Sequence, residues 1–389
     1  MKRASSILII SLLLMSMTGC GDSKQSADDF ITVDVTKSYS PKKELILQDF
    51  MDVEYVVLET NDDFLHQGFV QDIGKEIILV KNRVSDGDIF VYDRTGKALR
   101  KINRKGQGGE EYTDIYNITL DEDKGEMFVN DINKRKIFVY DLFGNFKRSF
   151  NHKEGGGSMF YIDIFNYDKD ELICYDKYNE EVAFVLISKQ DGCITKEIKI
   201  PFKEKKLLQQ SKIEGEITYV VTPGFYRTII PFAGNCLLLE DSSDTVYTLL
   251  PDYSLRPFFV RTPSIQSMNP EVFLILRFLS DRYYFMETIK NVFDFDAKEG
   301  FTEISFMYDR QEKNFFGYHV YNGDYSSKKE IYMSALRPVN HEIESWRLLE
   351  AHELVESYDK GELKGKLKEI AATLDEEDNP VIMLVKHKK

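Results

Sequence analysis

The sequence is poor in the residues that usually mark metal, redox or nucleophilic chemistry. Its 389 residues include one tryptophan, four cysteines and six histidines. The histidines show no spacing typical of metal ligands, and the segment His352–Glu356 lacks the second histidine that a zinc-protease helix requires. The nucleophile motif Gly-x-Ser-x-Gly is also missing. The sequence therefore predicts no metal, no cofactor and no recognisable catalytic residue.

Positive charge is scarce relative to negative charge. The chain carries 51 Lys and Arg residues against 65 Asp and Glu residues, which gives a formal net charge of −14. Binding to a nucleic acid requires clustered basic side chains that neutralise phosphates. The composition therefore argues against a nucleic-acid partner.

The only strongly apolar run near the N-terminus, Ile7–Leu14, is too short to cross a membrane comfortably. A basic start, this run and the small residues that follow it are typical of a secretory signal. The segment Met17–Cys20 resembles a bacterial lipobox, which implies cleavage before Cys20 and lipidation of its sulfur. We therefore expect a signal peptide at 1–19 and a lipidated cysteine with a polar tether at 20–29. The alternative is an ordinary signal peptide with an incidental cysteine.

Three further cysteines, Cys174, Cys193 and Cys236, lie within the remaining sequence. In an exported chain two of them could form a disulfide. The simpler interpretation is that each is a small apolar residue within a strand. The sequence does not decide between these alternatives.

A repeated strand and turn dominate what is present. Ile-Phe-Val-Tyr-Asp occurs at 89–93 and again at 137–141, a period of about 48 residues. Each copy runs into an Asp-x-x-Gly tetrad, Asp93–Gly96 and Asp141–Gly144. Aspartate starts a turn through its side chain, and glycine accepts the positive φ that closes it. The pattern predicts a strand, a tight turn and a second strand in each unit.

Both faces of the repeated strand are apolar, because Ile89 and Val91 alternate with Phe90 and Tyr92. This is typical of a strand buried between two neighbouring sheets. One four-stranded antiparallel sheet cannot bury both of its faces, but sheets stacked radially around an axis can. The sequence therefore predicts an all-β protein, a β-propeller with four-stranded antiparallel blades.

The repeat divides most of the chain into units. We place these units at 68–103, 114–151, 161–200, 225–260 and, for the fifth, through 281–309. Residues 203–216 are expected to form a loop or short helix, and residues 263–280 a short insertion of undecided character.

The C-terminal part has a different pattern. Residues 340–357 and 360–374 are expected to form helices capped by Asn340 and Asp359, which gives a small helical segment. A strand, Val381–Val385, follows.

Strand-like segments also occur before the first unit, at 30–36 and 53–58. With the C-terminal strand they predict a sixth blade closed by strands from both ends of the chain. Residues 30–389 are thus expected to form a single six-bladed β-propeller domain.

Several motifs together resemble the six-bladed β-propeller lipoproteins of gut-dwelling didermic bacteria, relatives of the NHL-repeat propellers. The resemblance rests on the lipobox-like start, the Lys105–Tyr112 loop, the Tyr-Asp-x-x-Gly turns and the segment Asp378–Pro380. In that family the loop usually reads Gly-Gln-Gly-Pro, whereas here Gly109 replaces the proline. The resemblance covers nearly the whole mature chain. It implies the fold and a location in the cell envelope, where we expect the outer membrane, but no activity.

Glycine-rich loops recur at the junctions between units, at Lys105–Gly109 and Lys153–Gly157. Neither has the spacing or the following helix of a phosphate-binding loop. The loops are either plain connectors or ligand-contacting segments. The candidate binding residues are Lys105, Gln107, Glu111, Tyr112, His152 and Lys153.

These observations favour a non-enzymatic protein anchored to a membrane by an N-terminal lipid. Its candidate partners are a glycan, a peptide or an envelope protein. The alternative is a lyase or hydrolase with a site in the central channel, where inner strands bring polar groups together. The sequence alone does not identify the ligand.

Overall fold

A computed structural model describes residues 30–388 apart from 153, 156, 159, 341 and 342. The described chain forms a ring of six main β-sheets, which confirms the predicted six-bladed β-propeller. The signal peptide, Cys20 and the tether lie outside the described residues. Among the described helices, none has the length and apolar character needed to cross a membrane.

The described part of the chain begins with elements that join blades formed much later in the sequence. They are β1 (Ile31–Asp34), β2 (Lys42–Ile46), the helical turn α1 (Leu47–Phe50) and β3 (Met51–Val57).

Each of the first three blades consists of four antiparallel strands in chain order. Blade 1 contains β4 (Phe69–Ile73), β5 (Ile77–Lys81), β6 (Asp88–Asp93) and β7 (Ala98–Asn103). Blade 2 contains β8 (Asn117–Asp121), β9 (Glu126–Asp131), β10 (Lys136–Asp141) and β11 (Phe146–Asn151). A small hairpin of β12 (Glu154–Gly155) and β13 (Gly157–Ser158) precedes blade 3, which contains β14 (Tyr161–Asn166), β15 (Glu171–Asp176), β16 (Phe184–Ser188) and β17 (Ile194–Ile198).

The second half of the chain forms the other three blades. After a hairpin of β18 (Gln210–Glu214) and β19 (Ile217–Val221), blade 4 contains β20 (Ile229–Phe232), β21 (Asn235–Leu238), β22 (Thr245–Leu249) and β23 (Leu255–Thr262). Blade 5 contains β24 (Val272–Leu279), β25 (Tyr283–Lys290), the hairpin β26 (Phe293–Asp294) and β27 (Glu299–Gly300), β28 (Glu303–Asp309) and β29 (Asn314–Tyr321). Blade 6 contains β30 (Arg337–Pro338), β31 (Ile343–Leu349), the helices α2 (Ala351–Asp359) and α3 (Gly365–Ala371), and β32 (Val381–His387). Single 3-10 turns lie at Ile265–Ser267 and Met333–Ala335.

Strands from both ends of the chain meet in blade 6. The outermost strand of that blade is β3, which pairs antiparallel with β32 from Met51 opposite His387 to Val57 opposite Val381. Strand β1 adds parallel to β23 of blade 4, and β2 adds parallel to β29 of blade 5. Blades 4 and 5 therefore have five strands, and the seam of the ring lies in blade 6.

The Asp-x-x-Gly turns require glycine for two reasons. In the first turn, Asp93 Oδ1 accepts the backbone N–H of Thr95 at 2.8 Å and that of Lys97 at 3.1 Å. Gly96 has a φ of 88°, and a Cβ there would lie 1.9 Å from the carbonyl oxygen of Val57 in the neighbouring blade. The glycine thus permits both the positive φ and the close approach of two blades.

Hydrophobic cores lie between consecutive blades. On β6, Phe90 packs with Ile382 of blade 6, whereas Val91 packs with Leu120 and Met127 of blade 2. Phe90 and Val91 are both fully buried. This arrangement explains why both faces of the repeated strand are apolar.

The C-terminal part differs from the helices expected there. Residues 340–357 contain strand β31 and most of the shorter helix α2, and the second expected helix shortens to α3. Asn340 and Asp359 do not cap these helices: the N-cap residues are Glu350 and Lys364, and Asp359 is the last residue of α2. The helical prediction over β31 was wrong because that strand forms through pairing with the distant β32, which local sequence does not show.

Two segments that were expected to be connections contain strands. Residues 263–280 include β24, the first strand of blade 5, and residues 203–216 include β18 of the projecting hairpin. The repeat has decayed in this half of the chain, so the blade boundaries could not be read from it.

Candidate functional site

The two ends of the propeller differ in the loops that they carry. One end, here called the connector face, carries the loops from the fourth strand of each blade to the next blade, and also the loops between second and third strands. The first strands of neighbouring blades contact one another, β4 with β8 and β8 with β14, and so line the central channel. The predicted binding loop lies between β7 and β8 and therefore belongs to the connector face.

The predicted loop is held by its own hydrogen bonds. Gly108 N donates to Glu111 Oε2 at 2.8 Å, and Gly106 N donates to the carbonyl oxygen of Tyr112 at 2.9 Å. The Lys105 ammonium donates to the carbonyl oxygen of Ser85. Lys105 and Gln107 are exposed, and Glu111 is half-buried.

Tyr112 lies in the core beneath this loop. Its hydroxyl donates to the carbonyl oxygen of Gly87 at 2.6 Å and accepts the N–H of Arg104 at 2.9 Å. Its ring meets that of Tyr140 edge-on, with centroids 5.9 Å apart. Burial raises the pKa of Tyr112 to about 12. Tyr112 therefore fixes the loop to blades 1 and 2 and offers no surface to a ligand outside it.

His152 is buried in a comparable way. Its Nε2 donates to Asn130 Oδ1 at 2.8 Å, and its ring lies 4.7 Å from that of Tyr161. Burial lowers the pKa of His152 to about 4. Lys153 lies outside the described residues. Of the predicted binding residues that are described, Lys105, Gln107 and part of Glu111 remain accessible.

Four arginines, here called the arginine cluster, surround the channel near the connector face. They come from four blades: Arg83 follows β5, Arg227 precedes β20, Arg277 is the bulged residue of β24, and Arg337 begins β30. Sequence reasoning missed all of them. The one visible signal was Arg277, a single charge within the apolar strand Val272–Leu279.

Arg337 is surrounded by aromatic rings. Its Cζ lies 4.5 Å from the ring centroid of Phe225, 5.2 Å from that of Phe69 and 6.0 Å from that of Trp346. Burial, with repulsion from the other three arginines, lowers the pKa of Arg337 to about 10. Cation–π contacts of this kind favour the guanidinium but do not neutralise its charge.

The other three arginines each have an acidic partner. Arg227 Nη1 lies 3.4 Å from Asp163 Oδ1, Arg83 Nη2 lies 3.8 Å from Glu350 Oε1, and Arg277 pairs directly with Glu287. Arg337 has no carboxylate partner among the residues that the structure describes. Among the described residues, the four guanidinium groups of the arginine cluster thus form three ion pairs with carboxylates.

The carboxylates of the channel wall are occupied by backbone donors. Asp72 accepts the N–H of Leu120 at 2.7 Å and that of Ile73 at 2.8 Å. Asp163 accepts the N–H and the hydroxyl of Thr228 at 3.3 and 3.2 Å. Burial raises the pKa of both carboxyls, that of Asp72 to about 6. Both side chains thus connect neighbouring blades across the channel wall.

Three exposed aromatic side chains, here called the aromatic rim, lie on the connector face beside the arginine cluster. Tyr116 precedes β8, Tyr178 follows β15 and Phe225 precedes β20, and their exposed fractions are 43%, 51% and 49%. Large apolar rings grouped around one opening are typical of a binding surface.

A cavity of about 520 Å³ lies at the opposite end of the channel, among the turns that follow the first strands of blades 1 to 3. Several of its polar groups are already engaged, although Arg94 Nη1 and Asn166 Oδ1 are buried without a hydrogen-bond partner among the described residues. Glu122 accepts three backbone N–H groups, those of residues 75–77, at 2.6 to 2.8 Å. Lys189 Nζ lies 2.7 Å from Asp121 Oδ2 in a buried ion pair. Glu122 and Lys189 thus hold the turns together. The connector face is the stronger candidate because it gathers four arginines, one of which has no carboxylate partner among the described residues.

The geometry defines a six-bladed β-propeller whose channel opens, on one face, at clustered arginines bordered by aromatic rings. A family model described as "Domain of unknown function (DUF4934)" matches residues 30–386. The chain therefore belongs to this family. None of the curated protein sequences matches it significantly.

Solved structures share the fold at low sequence identity. A Bacteroides fragilis protein described as exported is 15% identical, with a TM-score of 0.58 over 92% of this chain and 100% of the other. A DUF4221 family member from Bacteroides vulgatus is 11% identical, with a TM-score of 0.50 over 88% of this chain and 99% of the other. The virginiamycin B lyase from Staphylococcus aureus is 11% identical, with a TM-score of 0.39 over 87% and 100%. The first two show the fold alone, and the third is too dissimilar to support an argument.

Proposed function

We propose that this protein is a binding protein of the cell envelope that captures an anionic glycan, peptide or protein partner at the arginine cluster. The observation that carries the proposal is Arg337, a half-buried cation that has three arginine neighbours and no acidic partner among the described residues. The exposed residues Lys105 and Gln107 of the loop between β7 and β8, which lies on the same face, would add contacts to the partner.

A half-buried guanidinium without a paired carboxylate is partly desolvated, and no ion pair offsets that cost. A carboxylate or sulfate at the cluster supplies the missing charge and accepts two parallel N–H bonds from the planar guanidinium. The net charge of −14 repels polyanions in general. Selectivity therefore arises from the local arrangement of Arg337 and its neighbours.

The channel carboxylates support binding over catalysis. Asp72 and Asp163 each accept backbone N–H groups from a neighbouring blade, so they have a structural role already. A general acid or base needs a free lone pair or proton directed at the substrate. The enzymatic alternative, a lyase or hydrolase acting in the channel, gains no support from the low similarity to a known lyase.

The proposed location follows from the N-terminal sequence. The pattern that ends at Cys20 supports export and lipidation, and the similar Bacteroides fragilis protein is described as exported. A lipid on Cys20, followed by a short polar tether, places the propeller close to the membrane surface.

The proposal is tested with citrate, a small multivalent anion. A ligand that binds only the folded state at ten times its Kd stabilises that state by about 1.4 kcal/mol. Low-millimolar citrate is expected to raise the melting temperature of the wild type. Arg337→Gln should lose at least about half of that increase, while Arg256→Gln, which removes an exposed arginine of blade 4, should keep it. Equal increases in all three proteins would contradict the proposal.

A further inference from the structure

We infer that the captured anion is an acidic oligosaccharide, whose carboxylates or sulfates bind the arginine cluster while its pyranose rings stack on the aromatic rim. This inference rests on the proposed function and adds the chemical class of the ligand. Four observations on the connector face carry it.

The first observation is the grouping of the aromatic rim. Tyr116 is close enough to Tyr178 and Asp163 to interact with both electrostatically. The ring of Phe160 meets that of Tyr178 edge-on, with centroids 6.3 Å apart. Phe160 supports one edge of Tyr178, while about half of Tyr178 remains exposed. A supported ring with an open surface is suited to stacking on a flat ligand.

The second observation is that one ring of the rim lies directly beside two arginines. The Arg337 Cζ lies 4.5 Å from the Phe225 ring centroid, and Arg277 Nη1 donates to the Phe225 carbonyl oxygen at 2.5 Å. A sugar acid has an apolar C–H surface and a carboxylate on the same rigid ring. The Phe225 ring can pack against the apolar C–H surface of such a sugar, while the Arg337 guanidinium, 4.5 Å from the ring centroid, binds its carboxylate.

The third observation concerns hydrogen-bonding atoms in the channel wall. Asn117 Oδ1 and Arg227 Nε are buried, and neither has a hydrogen-bond partner within the described part of the chain. Asn117 begins β8 and Arg227 lies just before β20, so both are at the connector end of the channel. An acceptor and a donor at this depth can bind the hydroxyl groups of a saccharide.

The fourth observation distinguishes a saccharide from an acidic peptide. Peptides recognised through their main chain usually add to an exposed sheet edge. In blades 1 to 3 the inner edges face one another, because β8 contacts both β4 and β14. A peptide would then be held by flexible acidic side chains, whose ordering costs conformational entropy, whereas a pyranose ring is already rigid. The arrangement therefore favours the saccharide.

The test is calorimetric titration with two acidic tetrasaccharides, from polygalacturonate and from chondroitin sulfate. The fully methyl-esterified galacturonate tetrasaccharide supplies the uncharged control, and tetraglutamate represents an acidic peptide. At least one acidic tetrasaccharide is expected to bind, and the ester and the peptide should each bind at least about tenfold more weakly.

The aromatic contribution is tested by Tyr178→Ala, with Phe143→Ala as its matched control. Phe143 is also an exposed ring, 68% accessible, on the turn that faces away from the connector face. Tyr178→Ala should weaken saccharide binding about tenfold and leave the effect of citrate on the melting temperature unchanged. Phe143→Ala should change neither quantity.

The outcomes separate this inference from the proposed function. Failure of both acidic tetrasaccharides to bind, equal binding of tetraglutamate, or unchanged saccharide affinity in Tyr178→Ala would each overturn the inference. None of these results affects the citrate experiment. If citrate raised the melting temperatures of Arg337→Gln and Arg256→Gln equally, the proposed function would instead be overturned.

Discussion

At the scale of single residues, the side chains of the Lys105–Tyr112 loop divide into two groups. Gln107 is exposed and Tyr112 is fully buried, although both stand in one short polar segment. The buried ring reaches Gly87 in blade 1 and Tyr140 in blade 2, so its position depends on two blades at once. Which side of a loop faces inward is decided by such distant neighbours, and the loop sequence alone does not contain that information.

We predict that Tyr112→Ala lowers the free energy of unfolding by about 3–5 kcal/mol, because it removes a fully buried ring. Tyr112→Phe should lower it by only about 1–2 kcal/mol, since it leaves two hydrogen-bonding groups unpaired but retains the packing. The measurement is chemical denaturation. Gln107→Ala is the control and should change stability by less than about 0.5 kcal/mol. A Tyr112→Ala protein as stable as that control would mean that the ring is not part of the core.

At the scale of elements, β32 is the strand that connects the two ends of the chain. It pairs with β31 on one side and with β3 on the other. Its side chains enter two different cores, Ile382 and Leu384 in one and Met383 and Val385 in the other. All four residues are fully buried.

Deletion of residues 380–389 is therefore predicted to abolish cooperative unfolding or to cause aggregation. It removes the five buried apolar side chains of Val381–Val385 and leaves the backbone donors and acceptors of β3 and β31 unpaired. Thermal unfolding followed by circular dichroism and light scattering gives the result. Deletion of residues 388–389 alone, which lie beyond β32, should preserve the wild-type melting temperature. A 380–389 deletion that melts like the wild type would show that β32 is dispensable.

The sequence predicted the elements that repeat and missed those that do not. The first three blades follow the predicted units closely, since the units at 68–103, 114–151 and 161–200 match β4–β7, β8–β11 and β14–β17. Strand β24 was regarded as an insertion and β31 as part of a helix, because each forms through pairings that a decayed repeat no longer shows. Arg277 and Arg337 lie in these same two blades. These two arginines of the candidate site were missed for the same reason as the strands.

At the scale of the whole molecule, the protein combines a net negative charge with a local cation cluster. The formal charge of −14 spreads over the chain, whereas Arg83, Arg227, Arg277 and Arg337 gather at one end of the channel. Such a distribution repels bulk polyanions and keeps the attractive field confined to one opening. It suits a protein that selects a ligand by shape and charge together.

We predict that Cys20→Ser moves the protein from the membrane fraction to the soluble fraction. The substitution removes the sulfur that would carry the lipid, and no described helix can replace the anchor. Fractionation and metabolic labelling with palmitate provide the measurement. Cys193→Ser, which removes an exposed thiol, is the control and should leave both unchanged. Continued labelling of the Cys20→Ser protein would show that the lipid anchor was predicted wrongly.

The three N-terminal strands attach to three consecutive blades in chain order, β1 to blade 4, β2 to blade 5 and β3 to blade 6. A mechanical load applied at the N-terminus therefore reaches the ladder between β1 and β23 first, and then the ladder between β2 and β29. Only after both have separated does tension act on β3 and its pairing with β32. A propeller tethered at this end can thus lose two peripheral strands under force while its ring remains closed.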